Sequence, residues 1–531
     1  MNFKKTLSTT SAVLFSALLL AGCSNTTPHE GGSQVLRVLN WEDYIYLNDP
    51  ENGYDAKNLV DQFEDFMLES EGLEVEVVYD TFDTNETMLN SLQTGKSVYD
   101  LVCPSDYMIQ KMIANDMLEP LDNVAVNIPN YEQYASPYLK TIFENLEAKN
   151  KTTNELHSVS EYAVGYMWGT FGILFNPIYP AFASQGLSPE AVMLDMEDWN
   201  SLWDEKYQDT ISLKDSMRET YSVGIMRVYD QEIRALQAMY LDPESPTYND
   251  LDTYENNLVT YNQLLTEIYN RCDAETVALV KEELLILKEN IYGFENDSGK
   301  QDIVTGKIGI NLAWSGDAVY AMNQAEEELG TELYYTMPET GGNIWFDGWV
   351  MPKSESLNKE LAAKFLDFLS DPVNAAQNMD YIGYSSFIGG EDINALVHEW
   401  YDVRGEEWET PLANPENYVA YDLTYFFGDT VDTETVIYIE QESVGRQLYA
   451  QYPEADMIPR LSLMRDFGDN NRYVLAMWEE FKSSSLPGWA IALIAVGALA
   501  AAGFGAFFFY RKSLTKKNRR ARREQTSSSR H

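Results

Sequence analysis

Val35-Leu36-Arg37-Val38-Leu39 reads as a strand, and the elements after it alternate. Asn52-Gly53 marks a turn, and Lys57-Asn58-Leu59 opens a helix whose apolar face carries Leu59, Val60, Phe63, Phe66 and Met67. Residues 73–79 form a second strand, 85–92 a second helix, and Leu101-Val102-Cys103 a third strand. Strand, helix, strand, helix, strand predicts an α/β domain on a largely parallel sheet. The order recurs downstream, with strands in 210–213 and 306–314 and an amphipathic helix over 361–369 before Asp371-Pro372. Between them, 230–241, 250–272 and 274–290 carry helical patterns, so a helical insertion is expected at about 240–290.

In open α/β sheets, ligands bind outside the carboxyl ends of the strands. Asn40-Trp41-Glu42-Asp43-Tyr44 follows the first strand, Pro104-Ser105-Asp106-Tyr107 the third, and Trp314-Ser315-Gly316-Asp317 a later one. The segment Gly341-Gly342-Asn343-Ile344-Trp345-Phe346-Asp347-Gly348-Trp349-Val350 adds a fourth. If that run is extended, Trp345 and Asp347 leave the same face. An indole face beside a carboxylate suits an organic cation, which it attracts through ring quadrupole and charge together. One such pair is commonly a core Trp beside a turn acid; four segments joining aromatics to hydroxyls or acids point to a site.

The termini speak of export. Lys4 and Lys5 precede an apolar run from about residue 12 that ends Leu20-Ala21-Gly22-Cys23. Residues 1–22 are expected to be a signal peptide. Residues 23–34 form a polar tether. At the other end, 487–510 is uncharged and apolar, and at about 1.5 Å per residue it reaches roughly 36 Å, enough to span a bilayer. Eight Lys and Arg residues between 511 and 523 follow it, which predicts a transmembrane helix with a basic cytoplasmic tail over 511–531.

The net charge is −47, and the part between Cys23 and Lys482, with 26 basic and 83 acidic residues, stands at −57. Nucleic acid is excluded as a partner for such a surface. Four isolated histidines, three cysteines and no CxxC pair give no basis for a metal site. No Walker loop, Gly-rich dinucleotide turn or GxSxG is present, so no cofactor is expected. About 460 external residues exceed one ordinary core, which predicts two lobes.

Taken in order, these segments resemble the bacterial spermidine/putrescine-binding family, the external receptors of polyamine ABC importers. The resemblance covers roughly 35–482. It rests on Leu39-Asn40-Trp41-Glu42-Asp43-Tyr44, Asn85-Glu86-Thr87-Met88, Tyr99 through Tyr107, and Asp215-Ser216-Met217-Arg218-Glu219. It continues in Asn311-Leu312-Ala313-Trp314-Ser315-Gly316, the Gly341 to Asp347 run, and Tyr381-Ile382-Gly383-Tyr384. The signal resembles a bacterial lipoprotein signal, implying that Cys23 is lipidated.

The resemblance implies a periplasmic-binding-protein-like fold of two hinged α/β lobes. Lobe 1 is expected from 35–164 with 345–390, and lobe 2 from 165–344 with 391–482. Trp41, Tyr44, Ser105, Tyr107, Glu219, Trp314, Trp345, Asp347 and Tyr384 match its ligand-contacting positions. Glu42 and Asp106 stand where a small hydroxyl residue is common, adding two possible carboxylates. Asp215 lies one place before the expected acid, and Met464 replaces a polar amide. The implied function is a non-enzymatic receptor that captures a polyamine and hands it to a membrane permease. The chemistry agrees, since aromatic rings can sandwich polymethylene while carboxylates and hydroxyls take the ammonium N–H donors. The alternatives are a receptor for another small cation, a polyamine sensor, and a surface hydrolase using paired carboxylates.

Overall fold

The computed structural model describes residues 34–49, 54–95, 98–121, 128–242, 245 and 251–483, with 251–255 as backbone. The signal, Cys23 and residues 487–531 lie outside these. Eight strands make the path of the main sheet: β1 (Gln34–Trp41), β2 (Val75–Phe82), β3 (Leu101–Val102), β4 (Ala163–Phe175), β5 (Ile211–Lys214), β6 (Ile291–Glu295), β7 (Ile310–Trp314) and β8 (Gly342–Val350). Their order is β2-β1-β3-β8-β4-β7-β5-β6, and three short pieces pair alongside. β2-β1-β3 are parallel, as are β7-β5-β6, while β8 and β4 run antiparallel between the two sets.

This is a two-lobed α/β architecture, each parallel set serving one lobe and two long strands crossing between them. β4 is buried along all 13 residues, so it reads as a continuous apolar run rather than an alternating one. Its glycines are contact points. A Cβ on Gly165 would meet the Phe387 ring at 2.3 Å, and one on Gly169 would meet Ser315 Oγ at 2.4 Å and the Trp345 indole at 2.8 Å.

One lobe core joins Leu36 and Val38 of β1 to Phe63 and Met67 of helix Leu59–Glu71 and to Phe365. The other joins Leu213, Ile310 and Leu312 to Tyr221, Tyr261, Leu265, Val280 and Leu284. Helices Leu251–Tyr269 and Ala274–Leu287 are thus part of the second core, and a Cβ on Gly224 would come within 2.6 Å of Val280. The segment 391–482 divides: helix Glu391–Tyr401 packs on Pro372–Ile382, whereas Asn471–Ser483 packs on Met217–Val228 and Ala274–Leu287.

The expected C-terminal transmembrane helix requires correction. No helix among the described residues is long and apolar enough to cross a membrane, and 487–510 lies outside them. The longest described helix, Leu251–Tyr269, interleaves Asn262, Gln263 and Glu267 with its buried Tyr261, Leu265 and Ile268. The last, Asn471–Ser483, carries Arg472, Glu479, Glu480 and Lys482 and buries only Val474, Met477 and Phe481. Each is a one-sided helix docked on a core. The fold is therefore the two-lobed α/β body, and the spanning helix, its membrane contact and the cytoplasmic tail are withdrawn from it.

Candidate functional site

Three parallel strands end at the cleft and pass directly into helices. β3 leads to Asp106–Ala114, β5 to Met217–Val228 and β7 to Ser315–Leu329, and each helix has an acid in its first turn: Asp106, Glu219 and Asp317. A helix amino end favours negative charge there. At two of these ends the serine that would ordinarily cap the helix makes no side-chain cap bond. Ser105 instead accepts from Asn85 Nδ2 at 3.0 Å, and Ser216 donates to the Glu219 carboxylate. Asn85 is placed by a cap of its own, Thr84 accepting from the Thr87 N–H at 3.1 Å, an interaction contributing about 1 kcal/mol.

Asp347 lies on β8, where the crossing strands slip register. Asp347 pairs with Met167 and Gly348 with Gly165, leaving Tyr166 as the extra residue of a bulge. The Asp347 backbone forms an isolated antiparallel bridge to Ser105, just beyond β3, and the Ser105 hydroxyl reaches its carboxyl group. Its Oδ2 accepts from Tyr44 OH at 2.9 Å, while Oδ1 is buried with no satisfactory hydrogen-bond partner. Burial pushes its pKa up to about 6; the hydroxyls of Ser105 and Tyr44 oppose the rise and the charge of Glu219 adds to it. Asp106 Oδ2 is likewise buried and unpartnered, and burial raises its pKa well above the usual carboxylate range.

Aromatic rings wall this end. Tyr384 stands edge-on to Tyr44 with centroids 5.4 Å apart and to Trp345 at 5.6 Å. Trp345 Nε1 donates to Thr170 O at 3.2 Å, fixing the indole over Gly169. The Arg218 guanidinium lies 3.7 Å from the Tyr107 ring centroid and 4.5 Å from that of Phe467, and it donates to Arg465 O at 2.9 Å.

The far end is built differently. Tyr384 OH donates to Asp317 Oδ1 at 3.0 Å, and Lys214 Nζ donates to Asp317 Oδ2 at 2.9 Å. Lys214 also pairs with Glu295 Oε1 at 3.0 Å, donates to Asn296 O at 3.0 Å, and sits 4.3 Å from the Trp314 ring centroid. Burial lowers the Lys214 pKa, but Asp317 and Glu295 outweigh it and the net shift is upward.

Of the residues expected from the sequence, Tyr44, Ser105, Asp106, Tyr107, Glu219, Trp345, Asp347 and Tyr384 converge around the bulge, and Trp314 lies at the far end. Trp41 packs on Phe82, its Nε1 buried without a partner. Glu42 is exposed on the first-strand loop, in a groove lined also by Thr81, Asp83 and Thr87. Asp215 is taken by the ammonium of Lys482. Met464 is buried, and its carbonyl accepts from Gln110 Nε2 at 3.3 Å. Asn85, Lys214, Arg218 and Asp317 join the site without having been expected as its residues. The available signal was a lone lysine ending the apolar Ile211-Ser212-Leu213 run and an acid completing Trp314-Ser315-Gly316-Asp317.

Both lobes and the crossing strand thus face one cleft, the geometry of a receptor that holds a small solute between lobes. A family profile described as bacterial extracellular solute-binding protein matches residues 58–393, more than half of the chain, and the chain belongs to that family. It is a binding protein and not an enzyme. Relatives include the spermidine/putrescine-binding periplasmic protein of Salmonella typhimurium, 24% identical over 371 residues, or 69% of this chain and 82% of that one. The putrescine-binding periplasmic protein PotF of Escherichia coli is 26% identical over 357 residues, 66% and 78% of the two chains. In fold the chain is similar to a putative spermidine/putrescine ABC transporter protein from Listeria monocytogenes, with a TM-score of 0.52, 23% identity, and coverage of 85% and 99%.

Proposed function

We propose that this receptor captures a small polyamine between its lobes and delivers it to an ABC permease, held at the external face of the cell membrane by acylated Cys23. The observation that carries the ligand assignment is Asp347: a buried carboxylate with one unpartnered oxygen, flanked by Trp345, Tyr44 and Tyr384. A buried charge without a partner is costly, and an ammonium group supplies the missing partner through a charge-assisted bond. The rings then cover the methylenes and face the cation. Asp106, Glu219, Ser105 and Tyr107 complete the acidic end; Trp314 stands at the far end, and Trp41 packs on Phe82. Glu42 and Asp215 stand apart from this assignment, being exposed and paired with Lys482 respectively. The names of the relatives, which specify spermidine and putrescine, support it. Both lobes touch the ligand only when shut, so closure is coupled to capture.

Calorimetry on the full chain tests the proposal. Putrescine or spermidine should bind, and Trp345→Ala should weaken binding by at least tenfold. Binding of a neutral sugar or an amino acid with no polyamine bound would remove the ligand assignment and leave the fold untouched.

A further inference from the structure

Lys214 occupies a cage with the chemistry of an ammonium site. Two carboxylates lie at 2.9 and 3.0 Å from its Nζ, a backbone carbonyl at 3.0 Å, and an indole face at 4.3 Å. Its side chain is 1% exposed, so the charge is wholly internal. Asp317 has nothing left to offer a ligand: Oδ2 takes Lys214, and Oδ1 takes Tyr384 OH, with Lys300 Nζ also 3.7 Å away. Trp314 presents one face to this lysine, so a second cation approaching that end meets a buried positive charge on the other side of the ring.

Resting on the polyamine reading above, we infer that Lys214 is a specificity-determining residue: a tethered ammonium that fills the distal cation position and restricts the ligand to a short diamine. Both ammonium groups of that ligand lie at the acidic end, beside Glu219 and between Asp347 and Asp106, each of which keeps one unpartnered carboxylate oxygen. A longer triamine would drive a charged nitrogen toward Trp314 and Lys214, where Coulomb repulsion in a poorly screened interior opposes it. Without the lysine, Asp317 and Glu295 become an acidic pair that an incoming ammonium can satisfy.

Calorimetry with putrescine and spermidine on the full-length protein and on Lys214→Met decides the matter. The wild-type protein should bind the diamine more tightly. The variant should shift the triamine-to-diamine affinity ratio at least tenfold toward the triamine, and spermidine should raise its melting temperature more than putrescine does. Equal changes for both ligands would make Lys214 a structural residue only and leave the polyamine reading in place. If Lys214→Met does not fold, the wild-type protein still answers: spermidine bound more tightly than putrescine overturns the inference. Failure of the wild type to bind either amine overturns the polyamine reading and this inference with it.

Discussion

The two ends of the cleft treat buried carboxylates in opposite ways. At one, Asp317 and Glu295 enclose Lys214, and both carboxylate oxygens of Asp317 are engaged. At the other, Asp347 and Asp106 each keep a buried oxygen without a partner, and Arg218 packs on two rings, donates to the Arg465 carbonyl and lies 3.9 Å from Asp466. The contrast separates two uses of the same chemical group. A paired buried acid belongs to the framework, because removing its partner strands a charge. An unpaired one is held by the rest of the fold at a cost, and a ligand bearing the opposite charge offsets that cost on binding.

The framework end should give the largest effect. Asp317→Ala leaves Lys214 with Glu295 alone, and losing one member of a buried ion pair costs about 3–5 kcal/mol. Urea denaturation of the full chain measures this; a loss below about 1 kcal/mol would mean that Asp317 is not the principal partner of Lys214.

At the ligand end the sign reverses. The pKa of Asp347 is about 6 in the folded protein, against an ordinary value near 4, so the folded state binds its proton more tightly than the unfolded state. Folding stability is therefore lost as pH rises from about 4 to 6, and the deficit persists above. Asp347→Asn removes the titration. Each tenfold difference in proton affinity between the two states is worth roughly 1.4 kcal/mol, so the variant should stabilise the ligand-free protein by about 3 kcal/mol at pH 7.5, with no gain at pH 3.5. The same variant should reduce polyamine affinity by about a hundredfold. A variant that is less stable than wild type at pH 7.5 would show that Asp347 is satisfied without a ligand. In the wild-type protein, affinity should fall by up to about tenfold per pH unit as pH drops below about 6, binding there releasing a proton from Asp347, and Asp106, whose pKa burial also raises, adds to the fall. Calorimetry in buffers of different ionisation enthalpy reads that proton directly.

The first lobe was legible because its strands and helices alternate in short units with clear turns. Gln34–Trp41, Val75–Phe82 and Asn85–Gln93 fall within a few residues of the segments expected. The crossing strand β4 was not legible. It has no alternation, since both faces are buried, and three glycines interrupt it, each present because a neighbour leaves no room for a Cβ. The same limit hid half of the site. Trp345 and Asp347 are visible as a same-face pair, but the bridge that sets Asp347 beside Ser105 joins segments far apart in the chain and has no local signature. Nor can spacing show that Asp215 is neutralised by Lys482, which lies 267 positions away in the chain, or that Lys214 faces Trp314. Charge partners in a two-lobed fold come from distant segments, so the residue types were readable and their pairing was not.

Lys300 is the outer and weaker of the two lysines facing Asp317. Its Nζ is 3.7 Å from Asp317 Oδ1 and 2.7 Å from Asp297, and its side chain is 26% exposed, unlike that of Lys214. Water screens a charge in that position, and exposed ion pairs are worth about 0–1 kcal/mol. Lys300→Met should accordingly lower stability by no more than about 1 kcal/mol, and increasingly less as salt is raised. If its cost instead approached that of Asp317→Ala, the positive charge balancing Asp317 would be shared between two lysines, and removing Lys214 alone would not open the far end to a longer amine.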